Sequence, residues 1–396
     1  MGSPVVIVGG STAGLSAARE LRTQGYDGDI QVLDSDPRAP FRRPAVSKGI
    51  LSGAQSASDV AVPWPDALGL QRVTGTATGL DLEARLVHAS DPDGATFSLP
   101  FASLVIATGT AARPLPMPGG ELASTLRGLE DGESSHARLQ NAKRIVIVGG
   151  GFIGLEAAAV ARGMGKDVTV VEAAPLPLAH AVGTTLGWHI AELHRTRGVS
   201  LVCGVGVASI HQEGDGFHLV LSSGATLEAD FVLGAVGSAP VTGWLQGSGL
   251  DIANGVRCDA TCAVVGAEGV VAAGDVATWP NPLYGRLMRV EHWANAIEQG
   301  TFAARTLMGT HDSLGFSSAP YFWSDQYELK IQSIGSAAGH DESVVLEHDG
   351  ERIIVAYGRD GALVGVAGVN TGPIIPKYRP MIDRRELLSA LPRVRA

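Results

Sequence analysis

Cysteine is scarce in this chain. Three cysteines in 396 residues, Cys203, Cys258 and Cys262, exclude a disulfide-stapled secreted scaffold. A redox dithiol of C-x4-C or C-x2-C spacing is missing too, since Cys258 and Cys262 have three residues between them and Cys203 is remote. The three read as small buried hydrophobes. The 11 histidines are scattered, without the paired spacing of a zinc site, so no metal is expected. Positive charge is also short: 30 Lys and Arg against 40 Asp and Glu give a net charge of −10. This argues against nucleic acid as the main partner, because phosphates demand a basic footprint. It also argues against docking on an anionic membrane. No stretch approaches the roughly 18 uninterrupted apolar residues of a membrane span. Met1-Gly2-Ser3-Pro4 runs straight into Val5-Val6-Ile7-Val8, without a charged segment and a cleavable apolar run. The expected location is the cytoplasm.

What is abundant is glycine, at 52 residues. It has no collagen period, and with 45% hydrophobic residues the chain is not disordered. Glycine is therefore needed at turns and close backbone contacts. A repeat gives some of it an address. Residues 6–18 read VIVGGSTAGLSAA and residues 146–158 read VIVGGGFIGLEAA, identical at nine of 13 positions. Each copy is a β-branched apolar strand, a glycine turn and an apolar-periodic helix. A second strand follows, ending in acid: Ile30-Gln31-Val32-Leu33-Asp34-Ser35-Asp36 in the first, Asp167-Val168-Thr169-Val170-Val171-Glu172 in the second.

This is the βαβ dinucleotide fingerprint, present twice. Its first glycine allows the tight turn, its second lets the backbone approach a diphosphate, and its third lets helix and strand pack. The diphosphate sits on the helix N-terminus, where free N–H groups and the dipole favour anions. The second copy is regular, with Gly149, Gly151 and Gly154 and then Glu172 for a ribose hydroxyl. Phe152, Ile153 and Glu156 belong to the same turn and helix, and Val236-Gly237 closes a later strand, Phe231-Val232-Leu233. In the first copy Gly9 and Gly14 are present, but Ser11 stands at the middle glycine and Ala13 beside the third. The acid is Asp34 or Asp36. Two dinucleotides on one chain suggest FAD with NAD(P)H. Two further strands fit: Leu104-Val105-Ile106, ending in Ala107-Thr108-Gly109, and Gly269-Val270-Val271-Ala272-Ala273, ending in Gly274-Asp275. Asp275 would accept hydrogen bonds from the ribityl or phosphate end of FAD. Glu172 accepts a ribose 2′-OH and repels a 2′-phosphate, and no Arg follows it in Ala173-Ala174-Pro175-Leu176, so NADH is expected over NADPH.

Three more runs carry a resemblance: Pro40-Phe41-Arg42-Arg43-Pro44-Ala45-Val46-Ser47-Lys48, Arg289-Val290-Glu291-His292-Trp293-Ala294-Asn295-Ala296, and Tyr321-Phe322-Trp323-Ser324-Asp325-Gln326-Tyr327. From about Val5 to about Asn370 the chain resembles the FAD-containing, NADH-dependent ferredoxin reductases of the putidaredoxin reductase type. In the first run, Ala45 and Val46 depart from that family's Pro and Leu. The resemblance implies that Lys48 lies beside the flavin ring, stabilises its reduced form and pairs with Glu156. It implies that Trp293 lies at the ring edge, that Arg43, Ala77, Arg127, Glu291 and His292 belong to the FAD site, and that the adenosine acid falls at Ser35, between Asp34 and Asp36. Lys48, Glu156 and Trp293 are the candidate catalytic residues.

Without a cysteine relay, electrons leave from the flavin itself. NADH delivers two electrons as hydride, an iron–sulfur protein accepts one at a time, and flavin handles both. The implied partner is a [2Fe–2S] ferredoxin, feeding a monooxygenase or dioxygenase such as a cytochrome P450. Rubredoxin reduction, NADH oxidation and a non-catalytic NADH sensor are alternatives on the same flavin site. Residues 377–396 hold Lys377, Arg379, Arg384, Arg385, Arg393 and Arg395 against Asp383 and Glu386, a local +4. With Arg42, Arg43 and Trp323 they form a candidate ferredoxin dock. The expected fold is α/β, with two doubly wound Rossmann-like domains and a C-terminal α/β domain. The FAD domain is discontinuous, 1–112 and 245–313. The NAD domain is 113–244 and the C-terminal domain is 314–396.

Overall fold

A computed structural model describes residues 4–391. The strands of the two larger parallel sheets are β1 (Val5–Val8), β2 (Ile30–Asp34), β3 (Gln71–Thr74), β4 (Ser103–Ile106), β5 (Arg144–Val148), β6 (Asp167–Glu172), β7 (Ser200–Cys203), β8 (Phe231–Gly234) and β9 (Val270–Ala272). Antiparallel strands near the C-terminus are β10 (Tyr321–Gln326), β11 (Leu329–Gly335), β12 (Glu342–Asp349), β13 (Arg352–Arg359) and β14 (Ala362–Val369). The main helices are α1 (Thr12–Thr23), α2 (Leu129–Asn141), α3 (Phe152–Gly163), α4 (Ala179–Thr196) and α5 (Trp293–Met308). The chain divides into two units. One is Met1–Phe41, Ala61–Ala111 and Pro240–Pro320; the other is Arg42–Val60, Ala112–Ala239 and Tyr321–Ala396.

The first unit holds a parallel sheet of order β9-β4-β1-β2-β3. Val5 pairs with Ile30 on one side and Ser103 on the other. All four residues of β1 are buried, as a continuous β-branched run in a parallel sheet requires. The strand order reverses at β1, and the glycine turn leaves its carboxyl end, where open α/β sheets bind ligands. Helix α5 packs along α1 through small residues: a Cβ on Gly300 would lie 2.3 Å from the Ala13 carbonyl oxygen. Arg305 Nε donates to Glu20 Oε1 at 2.7 Å and ties the far ends of the two helices.

The second unit repeats the plan. Its parallel sheet has the order β7-β6-β5-β8, and the second glycine turn leaves β5 at the reversal point. A five-stranded antiparallel sheet, β10-β11-β14-β13-β12, completes the unit. Helix α4 is fastened to that sheet along its length. Tyr357 Oη donates to the Val182 carbonyl. His189 Nε2 meets the Glu351 carbonyl at 3.1 Å, and His194 Nε2 meets Gln326 Oε1 at 2.8 Å. Just past the helix end, Arg197 Nη1 donates to Glu328 Oε2 at 2.7 Å. The helix is kinked at Gly183, where a φ of 70° and a Cβ that would lie 2.7 Å from the Tyr357 ring demand glycine. No helix among the described residues is long and apolar enough to cross a membrane.

Candidate active site

The two glycine turns have the same geometry. Gly9 has φ 110° and Gly149 φ 112°, in the region that favours glycine. A Cβ on Gly9 would lie 2.2 Å from the Ala107 carbonyl oxygen, and one on Gly149 would lie 2.4 Å from that of Ala235. The third glycines close the helix onto the turn: a Cβ on Gly14 or Gly154 would lie 2.0 Å from the Gly9 or Gly149 carbonyl oxygen. The middle position differs. Gly151 faces open space. Ser11 is extended at φ −99°, a conformation any residue adopts, and its side chain caps no helix N–H. Neither α1 nor α3 has an acid in its first turn, so both N-termini suit an anion.

The acids are placed alike as well. Gly10 N donates to Asp34 Oδ2 at 2.6 Å and Asp36 N to Asp34 Oδ1 at 2.9 Å. Gly150 N donates to Glu172 Oε2 at 2.6 Å and Ala174 N to Glu172 Oε1 at 2.7 Å. Asp34 is thus the counterpart of Glu172. Ser35 is exposed. Asp36 pairs with Arg38 at 3.0 Å; burial opposes its ionisation, but the bonds to Arg38 outweigh that and hold it below the usual range. Gly10 and Gly150, which orient these carboxylates, are identical in the two repeats, which is the sequence signal that marks them. Each carboxylate keeps lone pairs for a ribose hydroxyl. The residues present therefore fit two dinucleotides.

In the first unit, Gly274 (φ 78°) sits where a Cβ would lie 3.0 Å from Ala13 Cβ. Ala13 is thus a buried packing residue that draws the Gly274-Asp275 turn against α1. Thr110 Oγ1 donates to Asp275 Oδ2 at 3.3 Å. Arg289 Nη1 donates to the Asp275 carbonyl at 3.0 Å and to Glu291 Oε1 at 2.6 Å, joining that turn to the start of α5. His292 precedes α5, and burial lowers its imidazole to about 4, so it is neutral at pH 7. Trp293 is the half-buried first residue of α5. Thr108 Oγ1 donates to the Val241 carbonyl at 2.8 Å, between buried Ala107 and Gly109 at φ 66°. Ala77 is half-buried on strand Thr76–Asp81 and packs on this unit's core.

In the second unit, a π-helical turn, Val46–Ile50, brings Ser47 and Lys48 to α3. Lys48 Nζ lies 2.7 Å from Glu156 Oε2, with Glu156 buried and Lys48 one-fifth exposed. Ser47 Oγ donates to the same carboxylate oxygen, and Ser324 Oγ donates to Glu156 Oε1 at 2.5 Å. Strand alternation on β10 explains the reach: Phe322, Ser324 and Gln326 share one face, and Phe322 meets Phe152 with ring centroids 4.6 Å apart. Arg43 Nη1 donates to the Arg127 carbonyl at 2.8 Å. Ile153 and Val236 are exposed, and Gly237 has φ 94° with open space beyond it. Ser47, Ser324, Gln326 and His194 lie outside the candidate list drawn from sequence. Only the first three fall in quoted runs, and His194 has no sequence signal.

All three cysteines are free thiols. Burial pushes the Cys258 thiol up to about 12 and holds the Cys262 thiol well above its ordinary range too. Cys203 departs from the expectation, being only partly buried. Arg393 and Arg395 lie outside the described residues.

Two turn–acid sites on one chain, a Gly-Asp turn closing one of them and no dithiol nearby define a two-dinucleotide flavoprotein oxidoreductase. The family model described as "Pyridine nucleotide-disulphide oxidoreductase" matches residues 3–300, and one described as "Reductase C-terminal" matches 321–391. The chain belongs to the pyridine nucleotide-disulphide oxidoreductase family. It is 34% identical over 388 residues to the anthranilate 1,2-dioxygenase system ferredoxin–NAD(+) reductase component of Burkholderia cepacia, covering 96% of this chain and 94% of the other. It is 34% identical over 348 residues to rhodocoxin reductase of Rhodococcus erythropolis, covering 86% and 80%. The crystal structure of the covalent putidaredoxin reductase–putidaredoxin complex matches with TM-score 0.89 and 30% identity, covering 97% and 93%.

Proposed function

We infer that the chain is an FAD-dependent ferredoxin–NAD(+) reductase, taking hydride from NADH and passing single electrons to a [2Fe–2S] ferredoxin that serves an oxygenase. The observation that carries this is the paired turn–acid geometry, one site in each unit, on a chain similar throughout its length to ferredoxin reductases of dioxygenase systems. FAD, when bound, accepts hydride and releases electrons singly. The N-terminus of α1 holds the FAD diphosphate and Asp34 a ribose hydroxyl, with Asp275 and Thr110 toward the ribityl end. The N-terminus of α3 holds the NADH diphosphate and Glu172 the 2′-OH. Lys48, fixed by Glu156, supplies positive charge against the negative charge that hydride brings. Glu291, His292 and Trp293 complete the FAD site, with Arg43 and Arg127 as further cations. We divide the chain by role into the discontinuous FAD domain, the NAD domain and the C-terminal domain at the boundaries given above. The working location is the cytoplasm, where NADH is made.

One anaerobic experiment tests the reading. The purified yellow protein is titrated with NADH and then with a [2Fe–2S] ferredoxin while the visible spectrum is followed. Bleaching by NADH and recovery by ferredoxin are expected. A colourless protein that cannot be reconstituted with FAD would overturn it.

A further inference from the structure

Behind the Lys48–Glu156 pair runs a buried line of hydrogen bonds with a fixed direction. Glu156 Oε1 takes a bond from Ser324 Oγ at 2.5 Å, and Ser324 Oγ takes one from Gln326 Nε2 at 3.1 Å. Gln326 Oε1 lies 2.8 Å from His194 Nε2, and His194 Nδ1 lies 3.0 Å from Tyr327 Oη. Ser324, Gln326 and His194 are each completely buried. The direction follows from the carboxylate end. A carboxylate paired with an ammonium only accepts, so Ser324 donates. The hydroxyl oxygen then accepts from the Gln326 amide, which leaves Gln326 Oε1 as an acceptor. That places the His194 proton on Nε2. Burial lowers His194 to about 4, so the ring is neutral at pH 7, Nδ1 is free to accept, and Tyr327 donates to it. Every donor in the line aims at Glu156. With Glu156 itself, these four groups come from three elements: Ser324 and Gln326 from β10, His194 from α4 and Glu156 from α3. An aliphatic residue at 324 would leave Glu156 Oε1 without a donor in a buried site.

We propose that Ser324, Gln326 and His194 are positioning residues for the Lys48–Glu156 pair: the line running from Tyr327 through His194, Gln326 and Ser324 commits a proton to Glu156 and so fixes the orientation of the carboxylate and of the Lys48 it holds. The proposal rests on the reading of Lys48 and Glu156 given above. The C-terminal strand β10 thereby contributes to hydride transfer through the Lys48–Glu156 pair.

Three measurements on the holoenzyme test it. Anaerobic stopped-flow reduction by saturating NADH should slow by about tenfold in Ser324→Ala. Ser324→Thr, which keeps a hydroxyl, should restore the rate to within about twofold, while the KM for NADH stays within about twofold in both. Spectroelectrochemistry should find the flavin midpoint potential lower in Ser324→Ala and restored in Ser324→Thr. Long-range nitrogen–proton NMR of the unsubstituted protein at pH 7 should find His194 as the neutral Nε2–H tautomer. A wild-type rate and potential in Ser324→Ala, equal slowing in Ser324→Thr, or an Nδ1–H tautomer at His194 would each overturn the proposal. If Ser324→Ala does not fold, the NMR result still decides it. Glu156→Gln separates the two levels: if it too reduces at the wild-type rate, the underlying reading of the pair fails; if it is slow while Ser324→Ala is fast, only the positioning line fails.

Discussion

Asp34 is one methylene shorter than Glu172, yet both carboxylates span a turn glycine N–H and the N–H two residues beyond the acid. Each is therefore fixed before a ribose arrives, and preorganisation of this kind improves binding. Glu172→Arg should lower kcat/KM for NADH by about 10- to 100-fold, the worth of a lost hydrogen bond to a charged group, while NADPH loses less. Steady-state kinetics with both coenzymes checks this. His194 leads to a second prediction. Its folded pKa of about 4 lies below the ordinary 6.5, so between those values the unfolded chain binds more protons than the folded one. Stability from this group is complete above about pH 6.5 and is lost as pH falls toward 4, by ~3 kcal/mol in all. His292 adds a loss of the same sign. The drop in Tm between pH 7.5 and pH 5 should therefore shrink, though not vanish, in His194→Asn, as read by calorimetry.

Each fingerprint glycine has a physical reason that differs by position, and the two copies can be broken separately. Gly154→Ala would drive a Cβ to 2.0 Å from the Gly149 carbonyl and push α3 off its turn. The protein should purify yellow, because the first turn is intact, but NADH should no longer bleach it. Gly14→Ala makes the same collision at the first turn and should give a protein depleted of flavin. Absorbance at purification and after NADH checks both. These elements were legible in the sequence because a strand, a turn and a helix leave local patterns: a continuous β-branched run, glycine spacing, 3.6-residue periodicity. The acid of the first copy was not. Counting residues could not separate Asp34, Ser35 and Asp36; the bond from Gly10 gives Asp34 the place that Glu172 has in the second copy. The line from Glu156 to His194 was equally hidden, since its partners lie 168 and 132 residues apart and no local pattern links them. Ser324 and Gln326 stood inside a run that carried a resemblance, but nothing in the run said what they touch.

At the scale of the whole molecule, the net charge of −10 conceals a basic end. Within the described part of the tail, Lys377, Arg379, Arg384 and Arg385 outnumber Asp383 and Glu386. Arg384 is well exposed although it pairs with Glu386 at 2.5 Å. An acidic ferredoxin would be steered toward such a patch, and steering weakens with salt. Arg384→Glu with Arg385→Glu should raise the KM for ferredoxin by about threefold or more at low ionic strength and by less at high, leaving flavin reduction by NADH unchanged. Assays at two salt concentrations, with stopped-flow as control, check it. The fastening of α4 to the antiparallel sheet has a consequence for engineering. A chimera that imports a foreign coenzyme module as residues 113–244 alone would sever the bonds from Tyr357 to Val182 and from Gln326 to His194, and strand Arg197 from Glu328. These bonds keep that segment with 321–391, and the Lys48–Glu156 pair keeps both with Arg42–Val60, so a graft has to carry all three stretches.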